Sequence, residues 1–246
     1  MWLTVLGGSG GIPAEGAPCS GYLLEHDGFR LLVDPGYGSA VALLRRCRAV
    51  DVDAVYVSHG HPDHCADLNP LLRMRVLGRD FAPPLPVYCP TGAVDKVLAL
   101  EPSSAYDDAY RLHEFGPDDK FPIDTFDVET RALPHFVPNA GARFTVGSRS
   151  VTYTGDCGPS EALIELASGT SLLLAEATYI DHVPDQHRGC LNDAIGAARI
   201  ARKAGADRLM LTHLWPGDNH DDARRLAGHE FDGRIDVARP RLVVQV

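Results

Sequence analysis

Several features of membrane and secreted proteins are absent from this sequence of 246 residues. No apolar run approaches the roughly 20 residues that a membrane-spanning helix needs. The stretch Met1–Gly8 is typical of a strand and a turn, and it lacks the basic and apolar segments of a secretory signal. The six cysteines are scattered without a CxxC pair, so we expect reduced thiols rather than a disulfide framework. These absences predict a cytoplasmic protein.

The sequence also has an excess of acidic over basic residues. Lys and Arg number 23 against 33 Asp and Glu, which gives a formal net charge of −10. Such a charge repels a polyanion at long range, so a long nucleic acid is a poor partner and we expect a small-molecule substrate. A small phosphate ester is not excluded, because bound divalent ions dominate the field inside a site.

Length and composition bound the domain organisation. The apolar and charged fractions, 45% and 23%, are those of a globular protein with a sizeable core. The length fits one large α/β domain or at most two small ones. No internal repeat, low-complexity tract or linker divides the chain, so we predict a single domain over residues 1–246.

The most informative stretch is Ser58–Cys65, Ser-His-Gly-His-Pro-Asp-His-Cys, which follows the apolar run Ala54–Val57. The apolar run is typical of a buried strand. Gly60 and Pro62 disfavour a helix, so we expect a tight, irregular loop. The loop presents three imidazoles and one carboxylate, which are ligand types that divalent metals accept. Three histidines exceed what one ion with an open position can use, so the spacing predicts two adjacent metals.

Further candidate residues follow the ends of other predicted strands. In α/β proteins the carboxyl ends of neighbouring strands converge, and sites assemble from the loops there. The residues placed at such ends are His59, His135, Asp156, Glu176 and His213. Asp34 closes another buried strand, where it is positioned to orient a ligand histidine from behind. The pattern predicts one shared site.

The Ser58–Cys65 loop and these strand ends resemble the metallo-β-lactamase superfamily of di-metal hydrolases. The resemblance covers nearly the whole chain. It implies an α/β fold, the four-layer αβ/βα sandwich, in which two mixed β-sheets lie face to face with helices outside; the alternation of strands and capped helices agrees with this. It also implies two divalent metal ions. We predict zinc, which suits His-rich nitrogen and oxygen ligation, although manganese or iron would accept the same donors.

The resemblance assigns a role to each candidate. The implied ligands of the first metal are His59, His61 and His135. The implied ligands of the second metal are Asp63, His64 and His213. Asp156 resembles the carboxylate that bridges both ions, Asp63 also counts among the predicted catalytic residues, and Asp34 and Glu176 are predicted to support ligands from behind. The implied chemistry is hydrolysis by a hydroxide that bridges two ions about 3.5–4 Å apart.

The branch within the superfamily is indicated by the bridging Asp together with Ala175–Tyr179 and Leu209–Leu214. These resemble the phosphodiesterases, including tRNase Z and bacterial cyclic-nucleotide phosphodiesterases. We therefore predict a phosphodiesterase acting on a small phosphate diester such as a cyclic nucleotide. The alternative is a lactone, ester or thioester hydrolase on the same site. A tRNA 3′-processing endonuclease is less favoured because no tRNA-gripping arm is visible, and so is a non-catalytic binding protein because the ligand set is complete. The resemblance leaves a homodimer open.

The proton donor is the place where this sequence departs from the branch. The branch usually has a histidine, expected to protonate the leaving oxygen, at the start of the helix before the last ligand strand. By spacing, that position falls near Cys190 or Leu191. His187, upstream of both, is the predicted catalytic replacement. If His187 does not serve, the general acid is lost, which would matter most for diesters with poor leaving groups.

Residues 101–120 have no helical or strand period in the sequence. We interpret them as a lid or insertion over the site. The candidate substrate contacts in this segment are Tyr106, Tyr110 and His113.

Overall fold

The computed structural model describes residues 1–80, 82–102, 106 and 108–246. The first sheet consists of β1 (Trp2–Gly7), β2 (Gly21–His26), β3 (Phe29–Val33), β4 (Ala54–Tyr56), β5 (Leu85–Pro90), β6 (Tyr110–Phe115) and β14 (Val243–Gln245). Its strand order is β14-β1-β2-β3-β4-β5-β6. The pairings from β14 to β3 are antiparallel and those from β3 to β6 are parallel.

The second sheet repeats this plan. It consists of β7 (Lys120–Ile123), β8 (Phe126–Leu133), β9 (Asn139–Val146), β10 (Arg149–Tyr153), β11 (Leu172–Glu176), β12 (Arg208–Thr212) and β13 (Arg234–Val237). Its order is β13-β12-β11-β10-β9-β8-β7, antiparallel from β7 to β10 and parallel from β10 to β13. Each sheet is therefore mixed, as predicted.

Helices connect the parallel strands. They are α1 (Ser39–Leu43), α2 (Pro62–Cys65), α3 (Leu68–Leu77), α4 (Asp95–Leu98), α5 (Glu161–Leu166), α6 (Ala194–Ala204) and α7 (His220–Ala227), with 3-10 turns at Ala49–Asp51 and Asp185–His187. Ser160 and Asp193 cap α5 and α6, since each side chain accepts a hydrogen bond from a backbone N–H of the first turn. None of the described helices is long and apolar enough to cross a bilayer.

Three apolar cores separate the layers. Leu31 and Val33 of β3 point into the core between the two sheets, whereas Leu32 points to the core under the helices of the first sheet. A third core, which includes Leu173 and Ile200, lies between the second sheet and its helices. Both faces of the central strands are therefore buried, which explains their continuous apolar runs. The predicted four-layer sandwich is confirmed.

The interpretation of residues 101–120 as a lid is wrong for the described part of that segment. Tyr110–Phe115 is the edge strand β6, paired with β5, and Tyr106 is buried under the first sheet. The ring of His113 stacks on Tyr88 with 4.6 Å between centroids. An edge strand exposes most of its side chains and so has no apolar period to detect in the sequence. Residues 103–105 and 107 lie outside the described residues.

Candidate metal centre

The structure brings the predicted ligands together in two adjacent groups. They come from loops after four strands: β4, β8, β10 and β12. In the first group the potential ligand atoms of His59, His61, His135 and Asp156 all lie within 4.8 Å of one another. In the second group the same holds for Asp63, His64, Asp156 and His213. Asp156 belongs to both groups, which is the arrangement expected of a carboxylate shared by two ions.

The first group has three converging nitrogens. His61 Nδ1 lies 3.2 Å from His59 Nε2 and 3.1 Å from His135 Nε2. Asp156 Oδ2 lies 3.9 Å from each of these two Nε2 atoms. The nitrogen spacings are close to about 3.3 Å, the edge of a tetrahedron with Zn–N bonds of about 2.0 Å.

The second group has similar spacings. His213 Nε2 lies 3.2 Å from Asp63 Oδ2 and 3.2 Å from Asp156 Oδ2. His64 Nε2 lies 3.2 Å from Asp156 Oδ1 and 3.4 Å from Asp63 Oδ2. Both His64 Nε2 and Asp156 Oδ1 are buried without a hydrogen-bond partner among the described residues. Buried polar atoms are rarely left unpaired, so these atoms and the donor set fit a divalent cation.

Five histidines belong to the two ligand groups. Four of them form a hydrogen bond through Nδ1, the ring nitrogen that does not face the cluster. The acceptors of the Nδ1–H groups are Ser58 Oγ for His59, Asp34 Oδ2 for His64, the Cys190 carbonyl for His135 and Thr178 Oγ1 for His213. With the proton on Nδ1, the lone pair of Nε2 points into the cluster. This is the usual way in which a protein fixes the tautomer and orientation of a metal-binding imidazole.

Asp34 is the centre of one supporting network. Its carboxylate accepts hydrogen bonds from the Ser58 N–H (2.7 Å), the Ser58 hydroxyl (2.6 Å) and the Tyr153 hydroxyl (2.7 Å), besides His64 Nδ1 (2.8 Å). Since the Ser58 hydroxyl donates to Asp34, its oxygen is free to accept from His59. Asp34 therefore orients two histidines, His64 directly and His59 through Ser58. Its backbone, just after β3, has a φ of +50°, a left-handed conformation that residues other than glycine rarely adopt.

Glu176 supports His213 from the neighbouring strand β11 of the second sheet. Its Oε1 accepts from the Thr178 N–H (3.1 Å), the Thr178 hydroxyl and the Asn192 N–H (3.2 Å). Thr178 Oγ1 in turn lies 2.9 Å from His213 Nδ1. Burial, reinforced by the charge of Asp156, raises the pKa of Glu176. Glu176 is thus joined to the predicted ligand His213 through Thr178, as Asp34 is joined directly to His64.

The loop that carries the motif is more regular than expected. Pro62 begins the short helix α2, with Asp63 and His64 in its single turn. Proline is tolerated at the first helical position, because that N–H has no helical partner. The prediction of an entirely irregular loop is therefore wrong beyond His61.

Burial and charge divide the histidines into two classes. Burial lowers the pKa of His59 well below its usual value, and lowers those of His61 and His135 as well. Burial acts the same way on His64 and His213, but nearby Asp156 and Asp63 outweigh it and raise their pKa. The environment of the first group thus favours neutral imidazole, the form that binds metal, whereas the carboxylates beside His64 and His213 favour positive charge there, which a bound cation would supply in place of a proton.

The comparison with known proteins decides the family. The sequence profile described as "Beta-lactamase superfamily domain" matches residues 29–214. The chain belongs to the β-lactamase superfamily. With the His/Asp cluster described above, the expectation of a metal-dependent hydrolase is confirmed.

Three known proteins illustrate the likeness. The probable metallo-hydrolase YhfI of Bacillus subtilis is 31% identical over 250 residues, which cover 99% of each chain, and its crystal structure superposes with a TM-score of 0.90 over 99% of this chain and 98% of that one. The short form of human tRNase Z is 23% identical with a TM-score of 0.82 (100% and 99% covered). Yeast PDE1 is 15% identical with a TM-score of 0.76 (100% and 99% covered). The likeness to the last two is a likeness in fold alone.

His187, the predicted proton donor, lies outside both ligand groups but near the first. Its Nδ1 is 2.5 Å from the Tyr179 hydroxyl, and its ring packs edge-on against Phe136, which in turn contacts His135. Cys190 contributes its carbonyl to His135 rather than its side chain.

Other supporting residues of this superfamily site were missed at the level of sequence. Asn139, the first residue of β9, donates from Nδ2 to the carbonyls of Thr154 (3.0 Å) and Asp156 (2.8 Å) and so holds the Asp156 turn. Tyr153 donates to Asp34, and Thr178 links Glu176 to His213. A single sequence gives no signal for such contacts, because the partners are distant along the chain.

Proposed function

We propose that this protein is a zinc-dependent phosphodiesterase with two metal ions, acting on a small phosphate diester such as a cyclic nucleotide. The observation that carries the proposal is the pair of adjacent ligand groups that share Asp156. His59, His61 and His135 would hold one ion, and Asp63, His64 and His213 the other. Two zinc ions, when bound, supply an activated water and polarise the bond that it attacks.

The charge of the centre favours an anionic substrate over a neutral carbonyl compound. The ligand set contains only two carboxylates, Asp63 and Asp156, and five histidines. Two divalent ions would therefore leave the centre with a net positive charge. A phosphate diester carries the matching negative charge, whereas an ester or a lactone carries none. The formal net charge of the whole chain, −10, disfavours binding of a long polyanion such as tRNA.

Hydrogen bonds from the surrounding residues fix the orientation of the proposed metal ligands. The Gly11 N–H donates to Asp63 Oδ2 at 3.0 Å and restrains that carboxylate. The acceptors behind the histidines keep each Nε2 directed inward before any ligand arrives, which limits the reorganisation that the reaction requires.

Metal content and paired assays test the proposal. We expect about two equivalents of zinc per chain by plasma mass spectrometry, as a two-metal site requires. The same sample should cleave bis-p-nitrophenyl phosphate and cyclic AMP faster than p-nitrophenyl acetate. Cleavage of acetate or lactones alone would favour the carbonyl hydrolase instead. No bound metal, even after reconstitution with zinc, would overturn the proposal altogether.

His187 is proposed as the group that protonates the leaving oxygen. In this role a protonated His187 would donate from Nε2 to the leaving oxygen and become neutral imidazole, while the Tyr179 hydroxyl oxygen would accept from Nδ1–H. We expect His187→Ala to slow cleavage of cyclic AMP, whose alkoxide leaves poorly, by about 100-fold. Bis-p-nitrophenyl phosphate should be cleaved nearly as before, because p-nitrophenolate leaves without a proton.

The control for this prediction is His182→Ala, which removes an exposed histidine of the same loop. The rates of cleavage of cyclic AMP and of bis-p-nitrophenyl phosphate should be unchanged in this variant. Equal losses on the two substrates in His187→Ala would indicate a structural role and contradict the assignment.

A further inference from the structure

The proposed metal centre is flanked by two exposed aromatic side chains. Phe136 directly follows His135 and is 52% exposed, and Trp215 lies two residues after His213 and is 38% exposed. Large apolar rings are more often buried, and an aromatic ring that stays open to solvent beside a site offers a face on which a ligand can stack. His135 belongs to the first ligand group and His213 to the second, so each group has its own ring.

The Phe136 ring is held against the first group. Its centroid lies 5.2 Å from that of His135 and 5.7 Å from that of His187, with the rings near perpendicular in both pairs. His187 is in turn held by Tyr179. These edge-to-face contacts use part of the phenyl ring and leave about half of the residue open to solvent.

The Trp215 ring lies on the glycine loop Gly7–Gly11, which contacts the second group. Gly10 N–H donates to the Leu214 carbonyl at 2.9 Å, and Gly11 N–H donates to the ligand Asp63. A Cβ atom on Gly11 would lie 3.1 Å from two carbons of the indole, so the ring rests on bare backbone. With φ at +67°, Gly11 also has a conformation that other residues rarely adopt. The glycines therefore bring Trp215 close to the centre.

We propose that Phe136 and Trp215 form an aromatic subsite that accepts a flat ring of the substrate, such as the base of a nucleotide. The inference rests on the proposed function, because the phosphate diester would bind at the metal centre, whose ligands His135 and His213 are the near neighbours of the two rings in the chain. Stacking on an aromatic face is strong and tolerant of base identity, since every base has such a face. The substrate class is thus narrowed to diesters that carry an aromatic group.

Binding of AMP can be measured without turnover, because AMP has no diester bond to cleave. Tryptophan fluorescence can report on it, because the chain has two tryptophans, Trp2 and Trp215. Trp2 begins β1, at the end of that strand opposite the glycine loop, and is 46% exposed. In a Trp2→Phe variant the fluorescence reports on Trp215 alone. The zinc-loaded variant is titrated with AMP and with ribose 5-phosphate, which lacks only the base.

We expect AMP to quench the Trp215 fluorescence and ribose 5-phosphate to leave it unchanged. By calorimetry on zinc-loaded protein, Phe136→Ala and Trp215→Ala should each weaken AMP binding about tenfold, with little effect on ribose 5-phosphate. Trp2→Ala, which truncates a similarly exposed indole outside the subsite, is the matched control and should bind both ligands normally.

Equal affinity for the two ligands, or binding of neither, would overturn the aromatic subsite whether or not diesters are cleaved. Quenching by AMP in a protein that cleaves only carboxylic esters would instead leave the subsite standing and overturn the phosphodiesterase proposal. The two failures are therefore distinguishable.

Discussion

Replacing Asp156 by Ala should abolish hydrolysis and remove bound metal. Asp156 is the one side chain that belongs to both ligand groups, so its loss opens both at once. We expect kcat/KM for bis-p-nitrophenyl phosphate to fall by on the order of 10³-fold or more, since a lost Lewis acid removes several kcal/mol of transition-state stabilisation. Zinc per chain, measured by plasma mass spectrometry, should fall in the same sample.

Two further variants sharpen this test. Asp156→Asn keeps the shape of the side chain and removes its charge, so a loss of activity there is not a folding failure. Asp127→Ala removes an exposed carboxylate of β8 in the same sheet, and it should change neither kcat/KM nor the zinc content. Full activity of Asp156→Ala with metal replete would contradict the proposed bridging role.

Replacing Asp34 by Ala should have the second-largest effect, on stability and on metal affinity together. The change leaves four buried donors without their acceptor: the Ser58 N–H, the Ser58 and Tyr153 hydroxyls and His64 Nδ1. We expect the free energy of unfolding to fall by about 3 kcal/mol or more, measured by urea denaturation of metal-free protein. Zinc affinity should fall about 10- to 100-fold, because His64 and His59 lose their orientation.

The graded control is Tyr153→Phe, which removes a single donor to Asp34. It should cost about 1 kcal/mol of stability and leave zinc binding near normal. If Asp34→Ala bound zinc as tightly as the wild type, Asp34 would be a structural residue only. An equal effect of the two variants on zinc affinity would likewise contradict the proposed role of Asp34 in orienting ligands.

The ligand loop could be predicted because its information is local. His59, His61, Asp63 and His64 lie within six residues, and the buried strand before them is visible as an apolar run. Asp156 and His213 could be predicted in the same way, since each follows a strand that is buried on both faces, whereas His135 follows β8, in which buried and exposed residues alternate. Periodicity failed at Tyr110–Phe115, because an edge strand has only one neighbour and exposes most of its side chains.

The sequence by itself thus determined the ligand types, the strand ends that carry them and, through the family resemblance, the four-layer sandwich. Only the tertiary structure decided how these groups are held: that Asp34 accepts from Tyr153 119 positions away, that the Cys190 carbonyl orients His135, and that Trp215 rests on Gly11. The physical reason is that hydrogen bonds and ring contacts depend on distances within a few ångströms between segments remote in the chain, and such distances are set only when both sheets have packed.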